Sequence, residues 1–484
     1  MIAVHTDSTT EVLAPRVMRR ARRAKRKRAE RGVALLLVLT SIALLYVLAQ
    51  QSRDEVEVYS AAAAASRDRV IAYYQARSMV NLSRLLLHSE PTIRRAITPI
   101  LAPMMALMGR GLAVPQIPIW EQADLLLGAF RNRAGAQQFA QSVGVDFATA
   151  RGLSALSGAD VPLIVDEDAK INVNGLDRGG PIQRRIAQQL LGLVANPSLD
   201  PYFTQLDPDG QFTDRATLVA SIVDFADNDQ TTMDVQSLLA SSAMGAGVGT
   251  PEDTFYSSLR PPYLRRNAPY DSVDELRLVR GLGDDALWQA IIDPDPSNPR
   301  RRTVTVWGQG TVNVNTANAQ TLLALICAFQ TPTMPAIQCT DPTAARQFLM
   351  GVNMVQGFTS SMGIPLFSSA RNFVDTLQGR PPLGPMLLAL GVPPFEAIGP
   401  QLEQAIATES KVFSVYAEAS VGASHVRIHA VLDMRPQPPI PGVFSQAIQG
   451  GREAAQQTAV VATTQGNVAT VSSAGGTMLY WRED

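Results

Sequence analysis

The chain has 484 residues, with 42 basic and 43 acidic side chains, and 46% of its residues are hydrophobic. This composition excludes a disordered, collagen-like or polytopic membrane protein and predicts one or more folded cores. Two cysteines exclude a disulfide framework and a four-cysteine zinc site, and four histidines leave little material for a metalloenzyme built on imidazole. No nucleophile elbow, Walker loop or zinc-protease signature occurs, so the sequence indicates no enzymatic chemistry.

The charges are distributed unevenly along the chain. Residues 1–31 contain ten basic and three acidic side chains, which leaves 32 basic and 40 acidic side chains in the remainder. The body of the protein is therefore acidic, which is not the charge of a general polyanion-binding protein.

The first predicted element is an apolar helix. Residues 33–49 contain no charged side chain, and a helix of that length spans ~25 Å, close to the ~30 Å of a hydrocarbon core. The alternatives are a cleaved secretory signal, a core helix of a soluble domain and a retained membrane anchor. The basic flank favours an anchor with a cytoplasmic N-terminus, so the chain beyond Gln50 lies outside the cytosol. The helical pattern continues without Gly or Pro to Leu87, which predicts a helix of ~50 residues.

The rest of the chain predicts a sheet that is split by helices. Five prolines between residues 90 and 160 indicate short helices there. Residues 161–175 indicate a hairpin of two strands joined by an exposed acidic turn, Asp166–Asp168. Helical patterns dominate to about residue 404, and alternation of period two returns at residues 411–421 and 424–433. The predicted fold class is therefore α+β, with a helical insertion of ~200 residues.

The insertion contains a glycine turn between two apolar-periodic segments. Gly281, Leu282 and Gly283 resemble the turn of a helix-hairpin-helix, which in nucleic-acid-binding proteins presents N–H groups to a phosphate. Asp284 and Asp285 follow at the position that a phosphate would approach, and their charge opposes binding. We therefore predict a structural hairpin and no contact with nucleic acid.

The N-terminal pattern resembles that of a known family. The basic residues, Gly32, the apolar stretch from Val33 and the long helix are similar to the N-terminus of type IV pilins and pseudopilins. The resemblance implies that a prepilin peptidase cuts between Gly32 and Val33 and that the new N-terminus is methylated. Most members have a glutamate at the fifth position of the mature chain, where this chain has Leu37. The K-type minor pseudopilin of the type II secretion system lacks that glutamate and is unusually long, and the chain resembles this type.

The resemblance implies a fold and a domain organisation. The fold is α+β, with a long N-terminal transmembrane helix, a split antiparallel sheet and a large all-helical insertion with helix-hairpin-helix-like subdomains. Asn-rich stretches at residues 171–175 and 312–317 are similar to segments of that family. The implied domains are a cleaved leader (1–32), the transmembrane and amphipathic helix (33–89), a pseudopilin-like α+β domain (90–184 and 405–484) with a flexible insertion (436–474), and the helical insertion domain (185–404).

The resemblance also implies a role and partners. The protein is expected to be non-enzymatic and to span the bacterial inner membrane once, with the bulk of the chain in the periplasm. Leu37 marks the tip position of the pseudopilus, where the chain initiates assembly with I- and J-type minor pseudopilins, further pseudopilus subunits and the inner-membrane secretion platform. The alternative is a membrane-anchored DNA-uptake protein of the competence type, which shares the Asn-x-Asn-Thr-Ala and Gly-x-Gly signatures.

One group of acidic residues is a candidate metal site. Asp224, Asp227 and Asp229 end an apolar-periodic segment, and Glu252 and Asp253 follow after a loop of small residues. Converging carboxylates repel each other, and a hard divalent cation with oxygen ligands relieves that repulsion. A solvated helix end is the alternative. K-type pseudopilins bind calcium and contain a similar pattern, so the resemblance implies a structural calcium ion held by these five residues.

Two further features concern the periplasmic part of the chain. Cys327 and Cys339 enclose eleven residues, and in an oxidising compartment we expect a disulfide between them. Residues 436–474 combine a proline-rich spacer with a stretch rich in small and polar residues, and residues 477–484 predict a last strand.

Overall fold

The structure is a computed structural model, and parts of the chain fall outside its description. Residues 1–13 of the predicted leader and residues 436–471 of the predicted flexible insertion are among those parts. The described residues are 14–107, 115–131, 134–135, 137, 141, 156, 158–207, 210–235, 252–330, 335–362, 365–381, 383–395, 400–435, 472–473 and 476–484.

The described residues form helices and strands, and the chain divides into two compact units. One unit is Met1–Ile71 with Gly422–Ser424, and the other is Ala72–Val421 with His425–Asp484. The α-helices are α1 (Ala14–Leu107), α2 (Ala123–Arg131), α3 (Gly180–Val194), α4 (Arg215–Ala226), α5 (Asp253–Ser258), α6 (Asp285–Ile291), α7 (Ala319–Ala328), α8 (Ile337–Thr340), α9 (Pro342–Met362), α10 (Ala370–Leu377), α11 (Gly384–Ala389) and α12 (Gln401–Ala405). The strands are β1 (Leu163–Asp166), β2 (Ile171–Asn172), β3 (Val304–Thr305), β4 (Val312–Asn313), β5 (Ile406–Ala407), β6 (Val412–Val421), β7 (Ser424–Asp433), β8 (Ser472–Ser473) and β9 (Gly476–Glu483).

The first unit consists mainly of the N-terminal part of α1. Every side chain from Val33 to Ala49 is exposed, and Leu37 is 63% exposed. Within the described residues, one helix is long and apolar enough to cross a membrane, and it contains this segment. An apolar helix without a protein cover is stable in hydrocarbon, where its backbone groups bond internally. The segment fits a single-pass membrane anchor, as the sequence predicted.

The second unit contains a five-stranded sheet packed on the later part of α1. The strand order is β1-β6-β7-β9-β8, and β1 pairs antiparallel with β6 while β7 pairs antiparallel with β9. Ala72, Ala76, Met79 and Val80 lie on one face of α1 and share a hydrophobic core with the sheet. Since β1 precedes the insertion and β6 follows it, the prediction of a split sheet in an α+β fold is confirmed.

A second hydrophobic core begins at Ile171 and ends at Ile406. It buries the apolar faces of α3, α4, α7 and α9. The insertion also contains two short strands, β3 and β4, which pair in parallel with β2 and β5 on either side of it, Ile171 with Val304 and Val312 with Ile406. Each strand there has two residues, which is too short for alternation of hydrophobic side chains to reveal it.

The prolines after residue 90 do not end the long helix, contrary to the prediction of short helices. Pro91, Pro99 and Pro103 lie inside α1. A proline removes one N–H donor and strains the preceding turn, but contacts outside the helix support this region. The buried carboxylate of Glu90 accepts a hydrogen bond from the Ile117 N–H at 3.0 Å.

The glycine turn of the insertion lies between a 3-10 helix, Val273–Leu278, and α6. Gly281 has φ +86°, a conformation that other residues rarely adopt. The Asp284 carboxylate accepts from the Ala286 N–H at 2.8 Å and caps α6. The N-terminus of α6 thus already has a carboxylate, which supports the prediction of a structural hairpin.

Candidate metal centre

The candidate centre begins on α4, an apolar helix that carries two acidic side chains near its end. Asp214 caps the start of α4 by accepting from the Thr217 N–H at 2.7 Å. Asp227 is the C-cap residue, and its N–H donates to the Val223 carbonyl. Asp224 and Asp227 are three residues apart, so their side chains leave α4 on the same face.

The third acidic side chain comes from the start of α5. Glu252 directly precedes this helix, and Tyr256 on the helix packs against Phe225 of α4, with ring centroids 5.7 Å apart. This aromatic contact holds α5 against α4. One carboxylate oxygen from each of Asp224, Asp227 and Glu252 lies within 4.8 Å of the other two, and all three residues are buried. We call these three residues the acidic cluster.

Within the described residues, the carboxylate oxygens of the acidic cluster outnumber the hydrogen-bond donors that contact them. Asp224 accepts from the Met233 N–H at 2.9 Å, and Asp227 accepts from the Gln183 side-chain amide at 3.1 Å. Among the described residues, the buried Asp227 Oδ1 and Glu252 Oε1 have no hydrogen-bond partner. Buried acceptors without a partner are costly, and a bound cation removes that cost.

Burial also changes the titration of the acidic cluster. Loss of solvation raises the pKa of Asp224 to about 7 and the pKa of Asp227 to about 6, and nearby carboxylates contribute to both increases. Among the groups that act in this way are Asp227 on Asp224 and Asp229 on Asp227. Ionisation of both side chains is unfavourable mainly because burial removes water from their carboxylates.

The remaining two predicted ligands lie beside the acidic cluster. Asp229 is exposed, and its Oδ1 accepts from the Thr231 N–H at 2.8 Å and from the Thr231 hydroxyl at 3.1 Å. The Asp253 carboxylate is 46% exposed and pairs with Arg265 Nε at 3.0 Å. The structure therefore brings together three of the five predicted residues and places the other two at their edge.

Sequence reasoning missed Arg265. Its side chain is 1% exposed and forms an ion pair with the equally buried Glu252 carboxylate. Its Nη1 donates to the main-chain carbonyl of Asp224 at 2.5 Å, and its Nη2 donates to that of Asp229 at 3.1 Å. Burial lowers the pKa of Arg265. No spacing in the sequence signals this contact, because Arg265 reaches the acidic residues only after the chain has turned beyond α5.

The donor set fits a hard divalent cation. Calcium takes six to eight oxygen ligands from carboxylates, main-chain carbonyls and water, and it tolerates irregular geometry. Asp224, Asp227 and Glu252 supply carboxylates, and Asp227 Oδ1 and Glu252 Oε1 are acceptors without a donor among the described residues. The Arg265 guanidinium lies beside this group and contacts the other carboxylate oxygen of Glu252, Oε2.

A second acidic group differs from its prediction. Asp166, Glu167 and Asp168 are buried, and they do not form the exposed turn of a hairpin. The hairpin itself is wrong, because β1 pairs with β6 and β2 pairs with β3. Local alternation indicates strands but not their partners, so the sequence did not show that distant segments enclose this turn. We call these three residues the acidic turn.

The carboxylates of the acidic turn all accept hydrogen bonds from neighbouring groups. Asp166 Oδ2 accepts from the Thr316 hydroxyl at 2.6 Å and the Ser410 hydroxyl at 2.5 Å. The Asp168 carboxylate accepts from three main-chain N–H groups, and Glu167 accepts from the Lys170 ammonium at 3.0 Å. The three donors to Asp168 are the N–H groups of Gln309 (2.8 Å), Lys411 (2.7 Å) and Val412 (3.1 Å).

The two cysteines are joined in the structure. Cys327 near the end of α7 and Cys339 in α8 form a disulfide with a Cα–Cα distance of 5.7 Å. The bond closes the loop between these helices, a part of which lies outside the described residues.

The fold class is the one that the sequence predicted. The described residues combine a long apolar N-terminal helix with an antiparallel sheet, which is an α+β arrangement. Residues 169–291 match the family model T2SSK_1st, described as "Type II secretion system (T2SS), protein K". Within residues 169–291, this match confirms the resemblance to a K-type minor pseudopilin that the sequence predicted, and the matched segment contains the acidic cluster.

Two further comparisons complete these findings. The structure is similar to a chain in "The Crystal Structure of the GspK-GspI-GspJ complex from enterotoxigenic Escherichia coli Type 2 Secretion System". The similarity has 16% sequence identity and a TM-score of 0.34, and it covers 57% of this chain and 74% of that chain. A search of curated proteins gave no match.

Proposed function

We propose that the chain is a non-enzymatic minor pseudopilin at the tip of the type II secretion pseudopilus. In this role it initiates assembly with I- and J-type minor pseudopilins and supports protein export across the outer membrane. The observation that carries the proposal is the combination of an uncovered apolar helix from Val33 with a protein K segment at residues 169–291. The helix serves as the anchor before assembly and as the packing element afterwards.

The location follows from the N-terminal segment. The basic residues before Gly32 stay in the cytoplasm, and the apolar helix crosses the inner membrane, so the sheet and the insertion lie in the periplasm. Prepilin peptidase cuts between Gly32 and Val33, and methylation follows. The cut leaves the apolar part of α1 on the mature chain, which then meets the secretion platform and the pseudopilus subunits.

The tip position has a physical rationale at Leu37. A glutamate at this place in other subunits seeks the N-terminal amine of a neighbour, and a buried charge without its partner is strongly destabilising. Leu37 is uncharged and 63% exposed on α1, so it packs among apolar helices without such a partner. The insertion adds bulk that blocks further subunits at this end.

We further propose that the acidic cluster holds a structural calcium ion. Asp224, Asp227 and Glu252 would supply carboxylate oxygens, while Asp229 and Asp253 lie close enough in sequence to contribute at the edge. The ion would supply positive charge that joins the end of α4 to the start of α5. Support comes from the convergence of the three carboxylates and from the two buried acceptors that lack donors.

The test of the assembly role is processing followed by co-purification. The full chain is produced with prepilin peptidase and with I- and J-type partners, and the mature N-terminus is sequenced. We expect a start at Val33 and recovery of a complex. A Gly32→Leu variant should stay uncut, whereas the matched Leu35→Ile variant should be cut normally. A mature chain that starts beyond Gln50, or one that does not associate with either partner, contradicts the proposal.

The tip position has its own test at Leu37. A Leu37→Glu variant should recover less of the complex than a Leu37→Gln variant, because only the glutamate brings a charge that lacks an amine partner. Equal recovery of the complex from both variants would argue against the tip rationale.

A further inference from the structure

Arg265 lies beside the proposed calcium site, and the inference drawn from it depends on that proposal. The guanidinium contacts both acidic segments of the chain. Its Nε lies 3.0 Å from Asp253 Oδ1, and its Nη1 contacts the Glu252 carboxylate and the Asp224 carbonyl. Its Nη2 donates to the Asp229 carbonyl at 3.1 Å. Only 1% of the Arg265 side chain is exposed, so the guanidinium is buried together with the acidic cluster.

The partners of Arg265 have the chemistry of calcium ligands. Each is an oxygen acceptor, either a carboxylate or a main-chain carbonyl, and these are the groups that a hard divalent cation prefers. The guanidinium is a permanent cation with five donors, so it presents positive charge to the same kind of oxygens. Two cations next to one carboxylate repel each other strongly in a buried site.

The geometry points to competition. We propose that Arg265 is an internal counter-cation that pairs with Glu252 in the cation-free protein, and that a divalent cation must displace it from Glu252 to bind. Arg265 thereby sets the affinity of the site.

The proposal explains how the cation-free fold tolerates the cluster. Asp224, Asp227 and Glu252 are buried within 4.8 Å of one another, and burial of charges without compensation is strongly destabilising. Arg265 neutralises part of this charge, and its hydrogen bonds to the carbonyls of Asp224 and Asp229 hold the loop after α4 in place. Binding of a divalent cation then becomes an exchange of one positive charge for another.

The adjacent arginine provides a matched control. Arg266 pairs with Asp271 at 2.7 Å and with Glu275 at 2.8 Å, outside the acidic cluster. An Arg266→Gln variant therefore removes the same charge one position along the chain without removing a contact to Asp224, Asp227 or Glu252.

The experiment is a calorimetric titration of the full chain in detergent with calcium chloride, after treatment with chelator. Arg265→Gln should bind calcium more tightly than the wild type by about tenfold or more, because the competing cation is gone. Arg266→Gln should bind with the wild-type affinity. In chelator, Arg265→Gln should melt at a lower temperature than the wild type, and calcium should raise its melting temperature by the larger amount.

A second variant covers the case in which Arg265→Gln does not fold. Arg265→Lys keeps a positive charge but loses the planar fork that joins Asp253 and the two carbonyls. Its affinity for calcium should lie between those of the wild type and the glutamine variant, a gain of about two- to fivefold over the wild type.

The outcomes separate this inference from the calcium proposal. If Arg265→Gln and Arg265→Lys bind calcium no more tightly than the wild type, calcium binding stands and the competition is wrong. If the wild type does not bind and Arg265→Gln binds, the competition is supported and the calcium proposal fails for the native chain. If neither protein binds calcium, both are wrong.

Discussion

The acidic cluster and the acidic turn contain the same kinds of side chain, but their buried carboxylates have different hydrogen-bond partners. Each has three buried carboxylates, and each contains one buried cation, Arg265 in the cluster and Lys170 in the turn. In the turn, hydroxyl and main-chain N–H donors surround the carboxylates of Asp166 and Asp168. In the cluster, two buried acceptors lack a donor within the described residues.

We therefore expect the supply of hydrogen-bond donors, rather than the number of carboxylates, to decide whether a group of buried carboxylates is a structural junction or a cation site. A carboxylate that accepts three N–H bonds has most of its roughly four lone-pair sites occupied. A carboxylate with an orphaned oxygen keeps its affinity for a cation. Four predictions test this distinction, from the largest expected effect to the smallest.

The largest effect is expected for Lys170→Met in the acidic turn. The ammonium and the Glu167 carboxylate are 3% and 5% exposed, so the substitution leaves Glu167 buried without its ion pair. We expect a loss of about 3–5 kcal/mol in the free energy of unfolding. Calcium should not restore the lost stability, because Glu167 Oε2 still accepts from the Thr305 hydroxyl at 2.6 Å and the carboxylates of Asp166 and Asp168 keep their donors. Chemical denaturation in calcium and in chelator measures the loss in the free energy of unfolding and any recovery of it by calcium.

The control for this variant is Lys411→Met. Lys411 pairs with Glu409 at 2.9 Å, but its side chain is 30% exposed and that of Glu409 is 39% exposed. A pair in contact with water contributes under about 1 kcal/mol. A loss for Lys170→Met that is as small as the loss for Lys411→Met would contradict the structural role of the buried pair.

The second prediction concerns pH and Asp166. Burial raises the pKa of Asp166 to about 7, whereas an unfolded Asp titrates near 3.9. Between these values the folded chain binds more protons than the unfolded chain, so stability is greatest at low pH in this window and is lost as the pH rises through 7. Denaturation from pH 4.5 to 8 should show a shallower dependence for Asp166→Asn than for the wild type, and an unchanged dependence would refute the assignment.

The third prediction is that Asp168→Ala destabilises the fold by about 2–3 kcal/mol. The substitution leaves the N–H groups of Gln309, Lys411 and Val412 without their acceptor, and an unpaired buried donor costs about 1–3 kcal/mol. Asp168→Asn keeps an acceptor oxygen and should lose less. Thermal unfolding measures both variants, and a calcium-dependent rescue of either one would show that the turn also binds the ion.

The smallest effect on the cation-free protein is expected for Asp227→Asn in the acidic cluster. Removal of one of three crowded carboxylates relieves repulsion, so in chelator the stability should change by under about 1 kcal/mol. In calcium the variant should lose most of the rise in melting temperature that the wild type shows. Asp200→Asn is the control, since Asp200 lies at the surface and pairs with Arg215. A full calcium response in Asp227→Asn would place the ion elsewhere.

Local sequence patterns predicted the elements that depend on local order. The apolar helix from Val33 has no charged side chain to residue 49, and the strands at residues 412–421 and 424–433 alternate between apolar and polar side chains. The convergence of Asp224 and Asp227 follows from their spacing on one helix. These features needed no knowledge of distant segments.

Other features depend on segments far apart in the chain. The buried carboxylate of Asp168 accepts hydrogen bonds from the N–H groups of Gln309 and Lys411, which lie 141 and 243 residues away in the chain. The placement of Arg265 beside Glu252 likewise depends on the path of the chain after α5. Hydrogen bonds of this kind have no local periodicity, so the sequence could predict the carboxylates but not which of them would find donors.

Calcium binding by the full chain tests the central claim most directly. The wild type and a Glu252→Gln variant are titrated with calcium chloride in a calorimeter after removal of bound ions with chelator. We predict saturable binding in the wild type and its loss in Glu252→Gln, since that side chain supplies an orphaned buried oxygen. An absence of binding in the wild type, or binding that persists unchanged in Glu252→Gln, would contradict a cation site at the acidic cluster.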